Sequence, residues 1–92
     1  MSDKEKRLMK LARNGSVAAF EELIQPHQNK IYTLMLKTCC NEFEASQLTQ
    51  EVFVRVFSSI AFFKDNISLI LNIYRIAGEI SQNTICRSKM IS

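Results

Sequence analysis

Apolar residues recur at intervals of three and four in this chain, in blocks separated by short polar breaks, the period of helices with one buried side. One block, about Val17 to Cys39, sets Phe20, Leu23, Ile24, Ile31, Leu34 and Met35 at this spacing, with Ser16 ahead of it as N-cap. Pro26 lies inside that block. It removes a backbone donor and clashes one turn back, so a kink or a split-off first piece is expected there. The next block runs from about Glu42 to Phe62. Ala45, Leu48, Val52, Val56 and Ile60 form its inner stripe, Phe53 and Phe57 widen it, and Asn41 with Glu44 makes a capping-box pattern. A polar connector, Lys64-Asp65-Asn66-Ile67, and then Ser68 precede a last helix from about Leu69 to Arg87, whose apolar positions are Leu69, Ile70, Ile73, Ile76, Ala77 and Ile80. A shorter helix, about Asp3 to Arg13, opens the chain between a Ser2–Glu5 capping box and an Asn14-Gly15 stop. The pattern predicts an all-α fold, a small bundle of four helices.

Composition narrows the class further. The chain has 92 residues, enough for one domain spanning residues 1–92. Apolar residues make up 47% and charged residues 23%, which argues for a packed core and against disorder. Two glycines and one proline leave few turns, which favours long helices over many strands. The net charge of +3 leans only weakly toward a polyanion; Lys4, Lys6, Arg7, Lys10 and Arg13 crowd the start but mix with Asp3 and Glu5. Three cysteines, Cys39, Cys40 and Cys86, make no disulfide framework and fit a reducing cytosol. With one histidine and no CxxC, a metal site is not expected, nor any cofactor. The polar start carries no secretory signal, and no apolar run is long enough to span a membrane. A cytoplasmic protein is expected.

The outer side of the third helix carries the most information. Gln47, Gln50, Glu51 and Val54 are spaced to share one face, with Arg55 beside them. A face of amides around an apolar centre suits docking against another helix. A solvated face is the plainer reading of the spacing alone. The residues around it resemble a known family. Ala45-Ser46-Gln47-Leu48-Thr49-Gln50-Glu51-Val52-Phe53-Val54-Arg55-Val56-Phe57 is similar to the most recognisable segment of bacterial RNA polymerase sigma factors of the extracytoplasmic-function (ECF) type. Ala19-Phe20-Glu21-Glu22-Leu23 and Ile31-Tyr32 upstream, and Phe63 and Ile73-Tyr74-Arg75-Ile76-Ala77 downstream, match in the same register. The resemblance covers about residues 16–89 and is to the region-two, promoter-melting domain; the second domain of the family, region four, is expected to be absent.

The resemblance implies two surfaces. Gln47, Gln50, Glu51, Val54 and Arg55 would dock on the clamp coiled coil of the largest subunit of the RNA polymerase core. The connector and fourth helix would hold the minus-ten promoter element as single-stranded, non-template DNA, with one base extruded from the stack. Lys64, Asp65, Asn66 and Ser68 occupy the connector in this reading, and Asn72, Arg75, Glu79, Asn83 and Arg87 the polar side of the helix. An anti-sigma factor is a further implied partner; a membrane is not. The chain departs from the family where an acid is common at Gln47, a tryptophan at Asn72 and an arginine-asparagine pair at Gly78-Glu79. The terminal basic run is reduced to Arg87 and Lys89. These departures bear on DNA reading, and they motivate an alternative: a sigma-like interaction module without sequence-specific DNA recognition.

Other residues take plainer readings. His27 has no partner in local reach and is expected at the surface. Cys39-Cys40 closes a helix, Glu21-Glu22 and Glu42/Glu44 are read as helix-start acids, and the four methionines form no groove. Phe62-Phe63 is expected to close the core beneath the connector, with base stacking by one ring as the alternative. No nucleophile–base pair, phosphate loop or metalloprotease motif appears, so the expected role is binding and not catalysis.

Overall fold

The computed structural model describes the backbone of residues 2–91 and the side chains of residues 2–83. Four helices account for the fold: α1 Asp3–Arg13, α2 Val17–Cys39, α3 Glu42–Ser58 and α4 Asn66–Ile91, with a 3-10 turn at Ile60–Phe62 between the last two. No strand occurs among the described residues. The all-α expectation holds.

The starts of the helices follow local chemistry. Ser2 Oγ accepts from the Glu5 amide at 3.1 Å, Ser16 Oγ from Ala19 at 3.2 Å and Asn41 Oδ1 from Glu44 at 2.9 Å. Each satisfies a donor that the first turn leaves without a partner. Glu5 does not complete a reciprocal box, because its carboxylate accepts from Asn66 Nδ2 at 3.1 Å on the other side of the bundle. At the α1 end, Gly15 takes φ 101°, and the Ser16 amide donates back to the Leu11 carbonyl at 2.9 Å. Glycine adopts that backbone region without a Cβ penalty. Cys40 closes α2 in the same left-handed region at φ 54°.

Three sequence expectations are corrected. Of the two outcomes expected at Pro26, the split-off first piece does not occur, because α2 runs through it from Val17 to Cys39. Its ring lies on the exposed side of the helix. The third helix ends at Ser58, short of Phe62. There the Ser59 amide turns back to the Val56 carbonyl at 3.0 Å and the Phe62 amide to the Ser59 carbonyl at 3.0 Å, the i to i+3 bonds of the tighter turn that follows. The fourth helix starts at Asn66, three residues ahead of Leu69, because Asp65 and not Ser68 is its cap. Asp65 Oδ1 accepts from the Ser68 amide at 2.8 Å, and its carbonyl accepts from Leu69 at 3.2 Å. Asn66, Ile67 and Ser68 are therefore first-turn residues and not loop. Glu42 and Glu44 do lie in the first turn of α3, whereas α2 has no acid in its first turn, so Glu21 and Glu22 fall past it.

The buried apolar residues form a single cluster. Ile31 and Met35 of α2, Val52 and Val56 of α3, and Leu69 and Ile73 of α4 are its largest sealed members. α2 packs against each of the other three helices. One polar tie crosses the core edge: Thr38 and the buried Ser81 share a 2.7 Å hydrogen bond between hydroxyls, while Thr38 also donates to the Leu34 carbonyl. A hydroxyl sealed at that depth without a partner would be costly, and this pairing removes the penalty.

Candidate functional site

The third helix separates its two sides as its spacing predicts. Ala45, Leu48, Val52, Phe53 and Val56 are buried, while Gln47, Gln50, Glu51, Val54 and Arg55 are exposed. Val54 is 63% exposed, an apolar side chain held in water at the centre of an amide and acid rim. Glu51 and Arg55 pair at 2.9 Å one turn apart. Both ends of that pair are half in solvent, so it orients the side chains and adds little stability. The five candidate docking residues thus stand together on one accessible ridge.

The ridge continues into a surface that sequence patterns did not reveal. Gln50 and Val54 border an open groove of about 560 Å³ between α2 and α3, floored by Phe20, Ile24, Phe53 and Phe57. Phe20 and Phe57 meet at 4.8 Å between centroids, tilted by 50°. Such tilted contact suits the ring quadrupoles. Tyr32 and Gln28 also line it. The groove exists only because two helices distant in sequence are packed side by side, so periodicity within either one carries no trace of it.

The second set of candidates is scattered by comparison. Lys64 and Asn83 are exposed. Asp65 is occupied as the α4 cap, and those bonds from the Ser68 backbone and side chain hold its carboxyl below the usual range, with further help from Ile67 and Lys64. Asn66 is half-buried and tied to Glu5. Ser68 is half-buried in the first turn, and its carbonyl accepts from Asn72 Nδ2 at 3.0 Å. Arg75 and Glu79 face each other at 3.9 Å on the exposed side of α4. The acid at Glu79 is therefore partly offset by its own neighbour. The Arg87 side chain lies outside the described residues, as do those of Lys89 and Cys86.

Two aromatic expectations change. Phe63 is buried, but Phe62 is 84% exposed at the end of the 3-10 turn, so only one of the pair closes the core. Its neighbours in kind are on α4. Ile67, Leu71 and Tyr74, spaced four and three apart, are 65%, 66% and 38% exposed. The inner positions of α4 hid this second stripe, although its spacing was readable. His27 has a partner that local sequence does not show: its Nδ1 lies 3.2 Å from the Tyr74 hydroxyl, with the rings edge to face at 5.8 Å. Burial, and then Lys30, lower the imidazole below its ordinary pKa.

Among the described residues no group of His, Cys, Asp and Glu is arranged to hold a metal ion, and no helix is long and apolar enough to cross a membrane. Cys39 donates to the Met35 carbonyl at 3.0 Å, a packing role in keeping with its place at the end of α2.

Comparison with known proteins adds the remaining evidence. No protein-family model matches the sequence. No solved structure matches it either. Curated relatives do. The chain is 30% identical over 84 residues to the ECF RNA polymerase sigma factor SigW of Bacillus subtilis, an alignment covering 91% of this chain and 45% of that protein. It is 36% identical over 46 residues to the ECF RNA polymerase sigma factor SigE of Mycolicibacterium smegmatis, covering 50% of this chain and 18% of the relative. It is 25% identical over 81 residues to the RNA polymerase sigma-H factor of Pseudomonas aeruginosa, covering 88% of this chain and 42% of that one. The chain therefore spans less than half the length of each of these relatives.

Proposed function

We propose, from the premise that this chain is a relative of the ECF RNA polymerase sigma factors, that it acts in transcription initiation as a polymerase-docking and promoter-melting module. The α3 ridge binds the clamp coiled coil of the largest polymerase subunit. The end of the 3-10 turn and the start of α4 hold the minus-ten element as an unpaired non-template strand. Melting then needs no bond chemistry: capture of an extruded base by binding energy stabilises the open state.

The observation that carries this reading is the division of α3. Gln50, Glu51 and Val54 are exposed together, while Leu48, Val52 and Val56 are sealed behind them. Helix-on-helix docking asks for a small apolar centre with a polar rim. On the nucleic-acid side, exposed Phe62 and part-exposed Tyr74 offer rings on which bases can stack, Ile67 and Leu71 offer apolar contact beside them, and Lys64 and Arg75 offer phosphate partners. Capture of the chain by the isolated clamp coiled coil tests the docking arm. Replacing Gln50 and Glu51 together by alanine is expected to weaken capture about tenfold, roughly the effect of losing one interface hot spot. Unchanged capture by that double variant would remove the ridge from the reading.

A second reading has specific support. Asn66 and Asn72 are engaged within the protein, and Glu79 offsets Arg75. An interaction module that docks without reading DNA sequence would look like this. Titration with single strands separates the two: a promoter reader prefers the minus-ten element over its scrambled counterpart, whereas the interaction module binds both equally.

A further inference from the structure

The net positive charge of this protein is carried by one helix. α1 holds Lys4, Lys6, Arg7, Lys10 and Arg13 against Asp3 and Glu5, five cations against two acids, a surplus of three. The whole chain has 12 Lys and Arg against 9 Asp and Glu, the same surplus. Outside α1, cations and acids therefore balance in number.

Folding sharpens the asymmetry that the mixed sequence blurs. Met9 and Ala12 are buried and Glu5 and Leu8 half-buried, so this side of α1 faces the bundle. Glu5 has its carboxylate engaged by Asn66. All five cations are exposed, and none forms an ion pair with a described residue. Lys6, Lys10 and Arg13 are spaced four and three apart and share a flank, with Arg7 next to it. Lys4 lies on the opposite flank, where it borders a cleft against Glu22, Gln25 and His27 of α2. α1 also packs against the 3-10 turn that ends in Phe62 and against the start of α4. The cationic flank thus belongs to the helix adjoining the segment assigned above to strand capture.

We propose that Lys6, Arg7, Lys10 and Arg13 form a phosphate track, gripping the backbone of the single strand whose bases are read at the 3-10 turn and α4. The path of the strand rests on the promoter reading above; the track itself rests on charge and exposure. A phosphodiester backbone fits better than an anionic membrane. The apolar side of α1 is already committed to the core, which leaves Leu11 as its one exposed large apolar residue, too little to anchor a helix between lipids. Contacts of this kind add affinity without sequence preference.

The test uses the full chain, fluorescence anisotropy, and labelled single strands carrying either the minus-ten element or its scrambled form. Lys6→Gln, Lys10→Gln and Arg13→Gln are combined in one variant; Lys30→Gln with Lys37→Gln is the control, removing exposed charge from α2. The triple variant is expected to bind both strands about tenfold or more weakly near 0.1 M salt. Its dependence of log affinity on log salt should flatten by about 2, at roughly 0.7 per lost phosphate contact. Its helicity and urea midpoint should match the parent, and the control should bind as the parent does. An unchanged salt slope in the triple variant overturns the track, even if the parent prefers the minus-ten strand. A flattened slope without any preference in the parent supports the track and removes the promoter reading instead. Equal losses in the control, or parent binding to phosphatidylglycerol vesicles in place of oligonucleotide, also overturn it.

Discussion

The outer sides of α3 and α4 differ in how far the fold has already used them. On α3, the side chains of the five candidate contacts make no hydrogen bond or ion pair with another element among the described residues; the Glu51–Arg55 pair is local and solvent-exposed. On α4, the candidates are woven into the structure. Asp65 caps the helix, Asn66 reaches α1, Asn72 bonds the carbonyl of Ser68, and Tyr74 meets His27 of α2. A partner of α3 finds a ridge ready to dock. A partner of α4 must either use what remains open, chiefly Lys64, Phe62, Leu71 and Asn83, or displace bonds that hold the bundle. Binding at the first surface therefore breaks no bond of the fold, whereas binding at the second can cost bonds that hold it together.

The broadest check contrasts inside with outside on α4 itself. Ile73→Ala opens a cavity in the sealed cluster and is expected to cost about 2–5 kcal/mol in urea denaturation. Leu71→Ala, two positions earlier and 66% exposed, should change stability by no more than about 0.5 kcal/mol. A large loss at Leu71 would show that the exposed stripe is part of the core and not a surface for bases.

The next effect probes the tie between α1 and α4. Asn66→Ala should cost about 1 kcal/mol, the scale of one hydrogen bond to a half-buried carboxylate. Combined with Glu5→Gln, the losses should fall short of additive, since both changes break the same contact. Strict additivity in a double-mutant cycle would detach Asn66 from α1 and make α4 as uncommitted as α3.

The smallest effect is a pH dependence at the start of α4. The Asp65 carboxyl is held below its usual pKa chiefly by the Ser68 amide. A depressed carboxyl favours the folded state above its unfolded value, and that contribution fades as pH falls through the folded value. Asp65→Asn keeps an acceptor for the Ser68 amide but has no proton to gain. Its urea midpoint should therefore fall less between neutral pH and about pH 3 than that of the parent. Parallel pH profiles would deny Asp65 any special hold on the helix start.

Sequence alone determined the four helices, because each apolar stripe, cap and stop acts within one or two turns. Ser2, Ser16 and Asn41 were legible as caps, and Leu48, Val52 and Val56 as an inner side opposite Gln50 and Glu51, since both follow from helical geometry. Boundaries were legible only where one signal dominated. The competition between Asp65 and Ser68 for the α4 cap, and the switch to a 3-10 turn after Ser58, were settled by which carbonyls and amides came within reach. Tertiary packing alone decided the groove between α2 and α3, the Glu5–Asn66 and His27–Tyr74 contacts, and the exposure of Phe62 beside a buried Phe63. Each joins residues distant in sequence or depends on where a turn points, and a periodic pattern encodes which side of a helix is buried without saying what lies against it.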